Sequence, residues 1–236
     1  MGTPMVILEK VIDFHTFSIT ARDPETGAFG VAVATARPNV GSLVPWVSPR
    51  GAIATQARVN TDLGLQGMAL LAQGVPVDVA LSAHLRKDSD REIRQVHGLD
   101  GERAFCHTGS DCVPWCGHEQ ADEFTIAGML AGPNLIAAMA RAFRASDGER
   151  HDLSERLLMA LEAGQAAGGD KRGKQSAALL VAALREPRMY HNLRADDHAD
   201  PVAELRRVWA AVVAHTKQIE ADYGSAALRL FGRVKY

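Results

Sequence analysis

The sequence predicts a layered α+β domain, and three observations carry that reading. Short alternating or β-branched segments open the chain, amphipathic helical segments follow, and the same order then repeats, so strands and helices come in groups. Grouped strands build antiparallel sheets covered by helices, whereas strict strand and helix alternation builds a parallel sheet. With 236 residues, 47% of them hydrophobic, the chain can bury a sizeable core, and no repeat or low-complexity segment divides it. Two antiparallel sheets between helical layers satisfy the pattern. Periodicity alone leaves other α+β arrangements open.

The first element is TFSITAR, residues 16–22, in which hydroxyl and apolar side chains alternate. A period of two sets Thr16, Ser18 and Thr20 on one face and Phe17, Ile19 and Ala21 on the other. Hydroxyls on a half-exposed strand carry no function by themselves. Asp23-Pro24-Glu25-Thr26-Gly27 supplies turn chemistry, and GVAVATA, residues 30–36, returns as the hairpin partner. The connection over residues 39–51 holds Pro45 and Pro49 and is expected to be irregular; residues 51–59 form a third strand.

From Asp62 the spacing of Leu63, Gln66, Leu70 and Leu71 is helical, with Gly74 and Pro76 closing the helix and a second one over residues 77–85. Strands are expected over residues 95–99, 103–108 and 124–129, and helices over 134–145 and 153–163, the latter capped by Asp152. Two strands follow, residues 176–184 and 189–193. Asp200-Pro201 then opens a long helix with Val202, Leu205, Val208, Trp209, Val212 and Val213 on one face. Gly224 and Gly232 interrupt the last stretch, residues 217–236, which is expected to be a frayed or docked helical tail.

The charge is balanced: 26 basic against 28 acidic residues and a formal net charge of −2 give no electrostatic footprint for nucleic acid or an anionic membrane. Met5-Val6-Ile7-Leu8 is followed at once by Glu9 and Lys10, too short an apolar run for a secretion signal or a span. Cys106, Cys112 and Cys116, odd in number and close together, suit a reducing compartment. The expectation is a cytoplasmic protein with a small-molecule substrate, no nucleic acid and no membrane.

Five blocks in order, HTFSITARDPETGAFGVAVATARPNVGSLVPW, GAIATQARVN, HTGSDCVPWCGH, AAGGDKRGKQSAALLV and LRADDHADPVAELRRVW, resemble the bacterial family called domain of unknown function 1028, over about residues 16–209. The resemblance implies an αββα sandwich of the N-terminal-nucleophile hydrolase kind. It also divides the chain into residues 1–15, an extension or propeptide; 16–216, a single domain; and 217–236, a helical tail that, with the long helix, suits a homo-oligomer.

In such hydrolases the first residue of the first strand attacks an amide carbon and its own α-amine is the general base. A free α-amine has a pKa of about 7.7 to 8.0, and so activates a hydroxyl near neutrality without a separate histidine. By resemblance the nucleophile is Thr16, once the His15-Thr16 bond is cut. Gln56 and Asn60 carry amides suited to an oxyanion or a substrate carbonyl, although Asn60 also suits a helix cap. His107, Cys112 and His118 match the family block, and His107 and Cys112 suit a pocket wall. Asp170 and Arg172 suit a polar substrate.

No metal or organic cofactor is expected, since C-x3-C-x-H is not a common zinc spacing. Two alternatives stand beside the hydrolase. One is a binding or assembly protein of the same fold without turnover. The other is a metal- or thiol-dependent hydrolase using the segment from Cys106 to His118.

Overall fold

The computed structural model describes residues 16–112, 115–129, 133–149, 151–183 and 191–227. The expected extension, residues 1–15, and the end of the expected tail, residues 228–236, lie outside the described residues, as do residues 184–190 at the expected strand ends.

The chain opens with a hairpin, β1 (Thr16–Asp23) and β2 (Ala28–Thr35), joined by a turn in which the Asp23 carboxylate accepts from the Glu25 amide at 2.9 Å. β3 (Pro45–Ser48), β4 (Gly51–Ala57), α1 (Thr61–Ala72), α2 (Val77–Lys87), β5 (Arg94–Asp100), β6 (Ala104–Thr108), β7 (Cys116–Gln120) and β8 (Phe124–Met129) follow. The chain then runs through α3 (Pro133–Ala145), α4 (Leu153–Ala166), β9 (Ser176–Ala182), β10 (His191–Ala195) and α5 (Pro201–Tyr223).

Among the described residues every strand pairing is antiparallel, in two sheets of order β10-β9-β2-β1-β8-β7 and β3-β4-β5-β6. The larger sheet lies under α3, α4 and α5: Phe17, Ile19 and Ala21 from β1 share one core with Leu135, Met139, Leu157, Leu161, Leu205 and Trp209. The smaller lies under α1 and α2, where Ile53 and Val96 pack with Leu63, Leu71, Val77 and Leu81. The inner faces of the sheets meet through Phe29, Val31, Val33, Ala52, Ala54 and Leu99. Helices outside and two sheets inside make the αββα sandwich implied by the resemblance.

The structure corrects the expectation at three points. The proline-containing connection is not wholly irregular, because β3 forms inside it as the edge strand of its sheet, with Pro45 in the first position. A proline at an edge, starting a strand, removes no ladder hydrogen bond that a neighbour needs. Gly64 of α1 accommodates this strand, since a Cβ there would run into the Trp46 ring. β7 was not anticipated. Its Cys-Gly-His-Glu-Gln sequence shows no alternation of apolar and polar residues, and it forms by pairing with β8 at the sheet edge. α5 runs unbroken past Thr216 to Tyr223 and stops at Gly224, whose φ of +79° a glycine adopts at least cost. The first half of its apolar face, Val202, Leu205 and Trp209, covers the chain's own sheet.

Candidate functional site

The space between the sheets is divided in two by chemistry. Beneath β2 and β9 it is hydrocarbon. Beneath β1 and β8 it is filled by Ser18, Thr20, Gln56, Gln95, His97 and Thr125, all fully buried and linked in one series of hydrogen bonds. The alternation of β1 turns Thr16, Ser18 and Thr20 to this inner side, and the alternation of β4 and β5 brings Gln56, Gln95 and His97 to meet them.

Ser18 Oγ lies 2.6 Å from Gln56 Oε1 and 2.8 Å from His97 Nε2. His97 Nδ1 meets Thr125 Oγ1 at 2.7 Å, and Thr125 meets Thr20 Oγ1 at 2.6 Å. Gln56 Nε2 donates to Gln95 Oε1 at 2.6 Å and to the Thr16 carbonyl at 3.3 Å. Gln95 Nε2 donates to Thr108 Oγ1 at 2.9 Å and to the Gly117 carbonyl at 3.1 Å, and Thr108 meets His118 Nδ1 at the rim at 2.9 Å. Burial pushes the His97 pKa down to about 3, with His118 acting in the same direction. The ring is therefore neutral at physiological pH.

Thr16 heads β1, a strand in the middle of its sheet. Its hydroxyl donates to Thr35 Oγ1 at 3.2 Å, directly across the hairpin, and it is 3% exposed. Asp170 belongs to the same corner. Its carboxylate accepts from the amide of Ala36, the residue after Thr35, at 2.8 Å, and pairs with the Arg172 guanidinium at 2.9 Å. The chain also leaves β4 here through Ala57, at a φ of +70°, one residue beyond Gln56. A non-glycine residue held in the left-handed region costs of order 1–3 kcal/mol, and such strain gathers at functional sites.

The other expected residues divide. Cys112 is near the strand head, packed with Ala57, Met129 and Cys116, and Met129 lies one residue past the Phe17 and Gly128 pair. Burial pushes its thiol up to about 11, and it donates to the Arg94 carbonyl, so it is no ready thiolate. Burial likewise raises Cys116, and takes Cys106 to about 12. Asn60 caps α1, accepting from the Asp62 amide at 3.1 Å and donating to Asp88 at 2.8 Å.

His107 faces away from the site. Its Nε2 contacts the Arg91 carbonyl at 2.9 Å, while Thr108, next in β6, bonds to Gln95 between the sheets. The period of two in β6 separates them. Gln56 is at the site, but both of its amide protons are engaged, which conflicts with the oxyanion role expected of it. Among the described residues, no three His, Cys, Asp or Glu side chains converge as a metal site would need.

Sequence reading overlooked Gln95, His97 and Thr125. Each alternates with apolar neighbours on a strand, and such residues are ordinarily solvent-facing, so only the second sheet marks them as interior. Elsewhere, a cleft of about 330 Å3 lined by Phe124, Phe143, Arg144, Asp147 and Arg156 opens at the far end of β1, where Ala21 pairs with Phe124. Among the described residues no helix is long and apolar enough to cross a membrane.

Comparison with known proteins agrees with this architecture. The family model described as Family of unknown function (DUF1028) matches residues 16–205, so the match begins at the head of β1. A crystal structure of protein SPO2555 from Silicibacter pomeroyi, assigned to the same family, superposes with a TM-score of 0.76 at 32% identity, covering 91% of this chain and 90% of that one. No curated protein matches.

Proposed function

We propose that this chain, which belongs to the DUF1028 family of unknown function, is an amidohydrolase of the N-terminal-nucleophile kind acting on a small amide or amide-like compound, with Thr16 as nucleophile. The observation that carries the reading is the stance of Thr16: it heads a central strand, with its hydroxyl on the inner face of a two-sheet sandwich. The start of the family match at this residue supports it as well.

In this reading the His15-Thr16 bond is first hydrolysed, which frees the Thr16 α-amine. The amine takes the hydroxyl proton as Thr16 Oγ1 bonds to the substrate carbonyl carbon, and returns it to the departing amine as the C–N bond breaks. Water then cleaves the resulting ester, so that one amide and one water give one acid and one amine. Asp170 and Arg172, fixed to the end of β2, stand where a polar substrate group would be held.

Intact mass of freshly purified protein tests the reading. The expected species has lost the fifteen residues before Thr16, or is present as two fragments. A single full-length species that nonetheless turns over substrate would overturn it, because an amide nitrogen is no base.

A further inference from the structure

We propose that Gln56 is a positioning residue for Thr16: it is the last donor in a one-directional chain of uncharged hydrogen bonds that starts at Thr20 and passes through Thr125, His97 and Ser18. The functional meaning rests on the Thr16 reading above. The direction of the chain rests on hydrogen-bond geometry together with the neutral state of the buried His97 ring.

Two main-chain carbonyls fix that direction. A carbonyl oxygen only accepts, so the Gln95 atom 3.1 Å from the Gly117 oxygen is the amide nitrogen, and the Gln56 atom 3.3 Å from the Thr16 oxygen is likewise nitrogen. Gln95 therefore turns Oε1 toward Gln56 and takes its second amide proton at 2.6 Å. This leaves Gln56 Oε1 facing Ser18 at 2.6 Å, and the single Ser18 proton must go there. Ser18 can then only accept from His97 Nε2 at 2.8 Å, so the neutral ring carries its proton on Nε2.

His97 Nδ1 is left as a bare acceptor. It takes the Thr125 proton at 2.7 Å, and the Thr125 oxygen accepts in turn from Thr20 at 2.6 Å. No ionised group takes part. With the two carbonyl anchors and the neutral ring, each link is left with one donor and one acceptor, and the end of the series, Gln56 Nε2, grips the Thr16 carbonyl from the opposite sheet. Gln56 can turn a proton to an oxyanion only by releasing Thr16 or Gln95. Its work is to fix the strand head, and with it the direction of the Thr16 hydroxyl.

The first test needs no variant. Nitrogen-15 NMR of the His97 imidazole at neutral pH should show a neutral ring protonated on Nε2; an Nδ1-protonated or charged ring overturns the proposal, whether or not the His15-Thr16 bond has been cut. The second uses Gln56→Glu. The introduced carboxyl must keep a proton to bond the Thr16 carbonyl or Gln95 Oε1. It should therefore titrate well above the ordinary carboxylate range and carry the Thr16 carbonyl and Phe17 amide resonances with it.

Titration in the ordinary range, with those resonances still, overturns the proposal; if the variant does not fold, the tautomer decides. In the folded variant, release of the Thr16-initiated species should slow by about tenfold or more, and an unchanged rate overturns the positioning role. A parent chain that is never cut removes Thr16 as nucleophile, and the two spectroscopic results then decide the hydrogen-bond chain separately.

Discussion

On one face of β1, Phe17, Ile19 and Ala21 are sealed beneath α3 and α4 by hydrocarbon; on the other, Ser18 and Thr20 are as fully buried, yet their surroundings are hydroxyls, amides and one imidazole. Both faces exclude water, but by different routes. The outer face gains from the area it removes from water, and is tolerant in how that area is filled. The inner face gains little net from each hydrogen bond and loses heavily if one partner goes missing. Hydrocarbon sets stability, while the polar interior sets direction, which is what the proposed Thr16 nucleophile would require.

The sharpest break between the faces comes from Thr16→Ala. It should abolish formation of the shortened species and lower turnover by about a thousandfold or more, while the urea midpoint moves little. An active Thr16→Ala protein would assign the polar face to structure alone. Next is Phe17→Ala, which removes a ring that lies against the Gly164 position in the helix-covered core. It should cost about 3–5 kcal/mol in urea unfolding and leave the His97 tautomer as it was. A tautomer change there would show that the faces are coupled through the strand.

Ser18→Ala should cost about 1–3 kcal/mol for each partner it orphans, Gln56 Oε1 and His97 Nε2, despite removing a single atom. A loss under a few tenths of a kcal/mol would mean that the partners find other bonds. The histidine itself gives a pH dependence. Folded His97 takes a proton only near pH 3, against 6.5 as its ordinary value, so the unfolded chain binds more protons between the two. Its contribution is complete above about pH 6.5 and is lost as pH falls, at most at about 1.4 kcal/mol per pH unit. His118 and His191 are depressed in the same direction, so the slope owed to His97 is what urea midpoints between pH 6.5 and 5 retain after both are changed to glutamine.

The smallest effect is expected outside both faces. Asn60→Ala should cost about 1 kcal/mol through loss of the α1 cap and leave release of the Thr16-initiated species at its parent rate. A slowed release would return Asn60 to the site from which its bonds to Asp62 and Asp88 now separate it.

The hairpin of β1 and β2, the helix starts at Asn60, Asp152 and Asp200 and the grouping of strands and helices were legible because each depends on neighbours in sequence: alternation, a capping side chain, a turn. That Thr16 and Gln56 would share the inner side of the sandwich followed from the period of their strands once the two sheets were in place. Which side of the sheet His107 takes could not be read from its residue type, because its pairing in β6 decides it. The edge strands β3 and β7 were missed because pairing with one neighbour overrode weak local preference.

What the sequence by itself determined was therefore the period of each element and which residues share a face, since these are properties of a backbone repeat a few residues long. What only the tertiary structure decided was which face meets which. A buried hydroxyl is satisfied by a partner dozens of residues away, as Ser18 is by Gln56 and His97, and that pairing exists only once the two sheets have closed on each other.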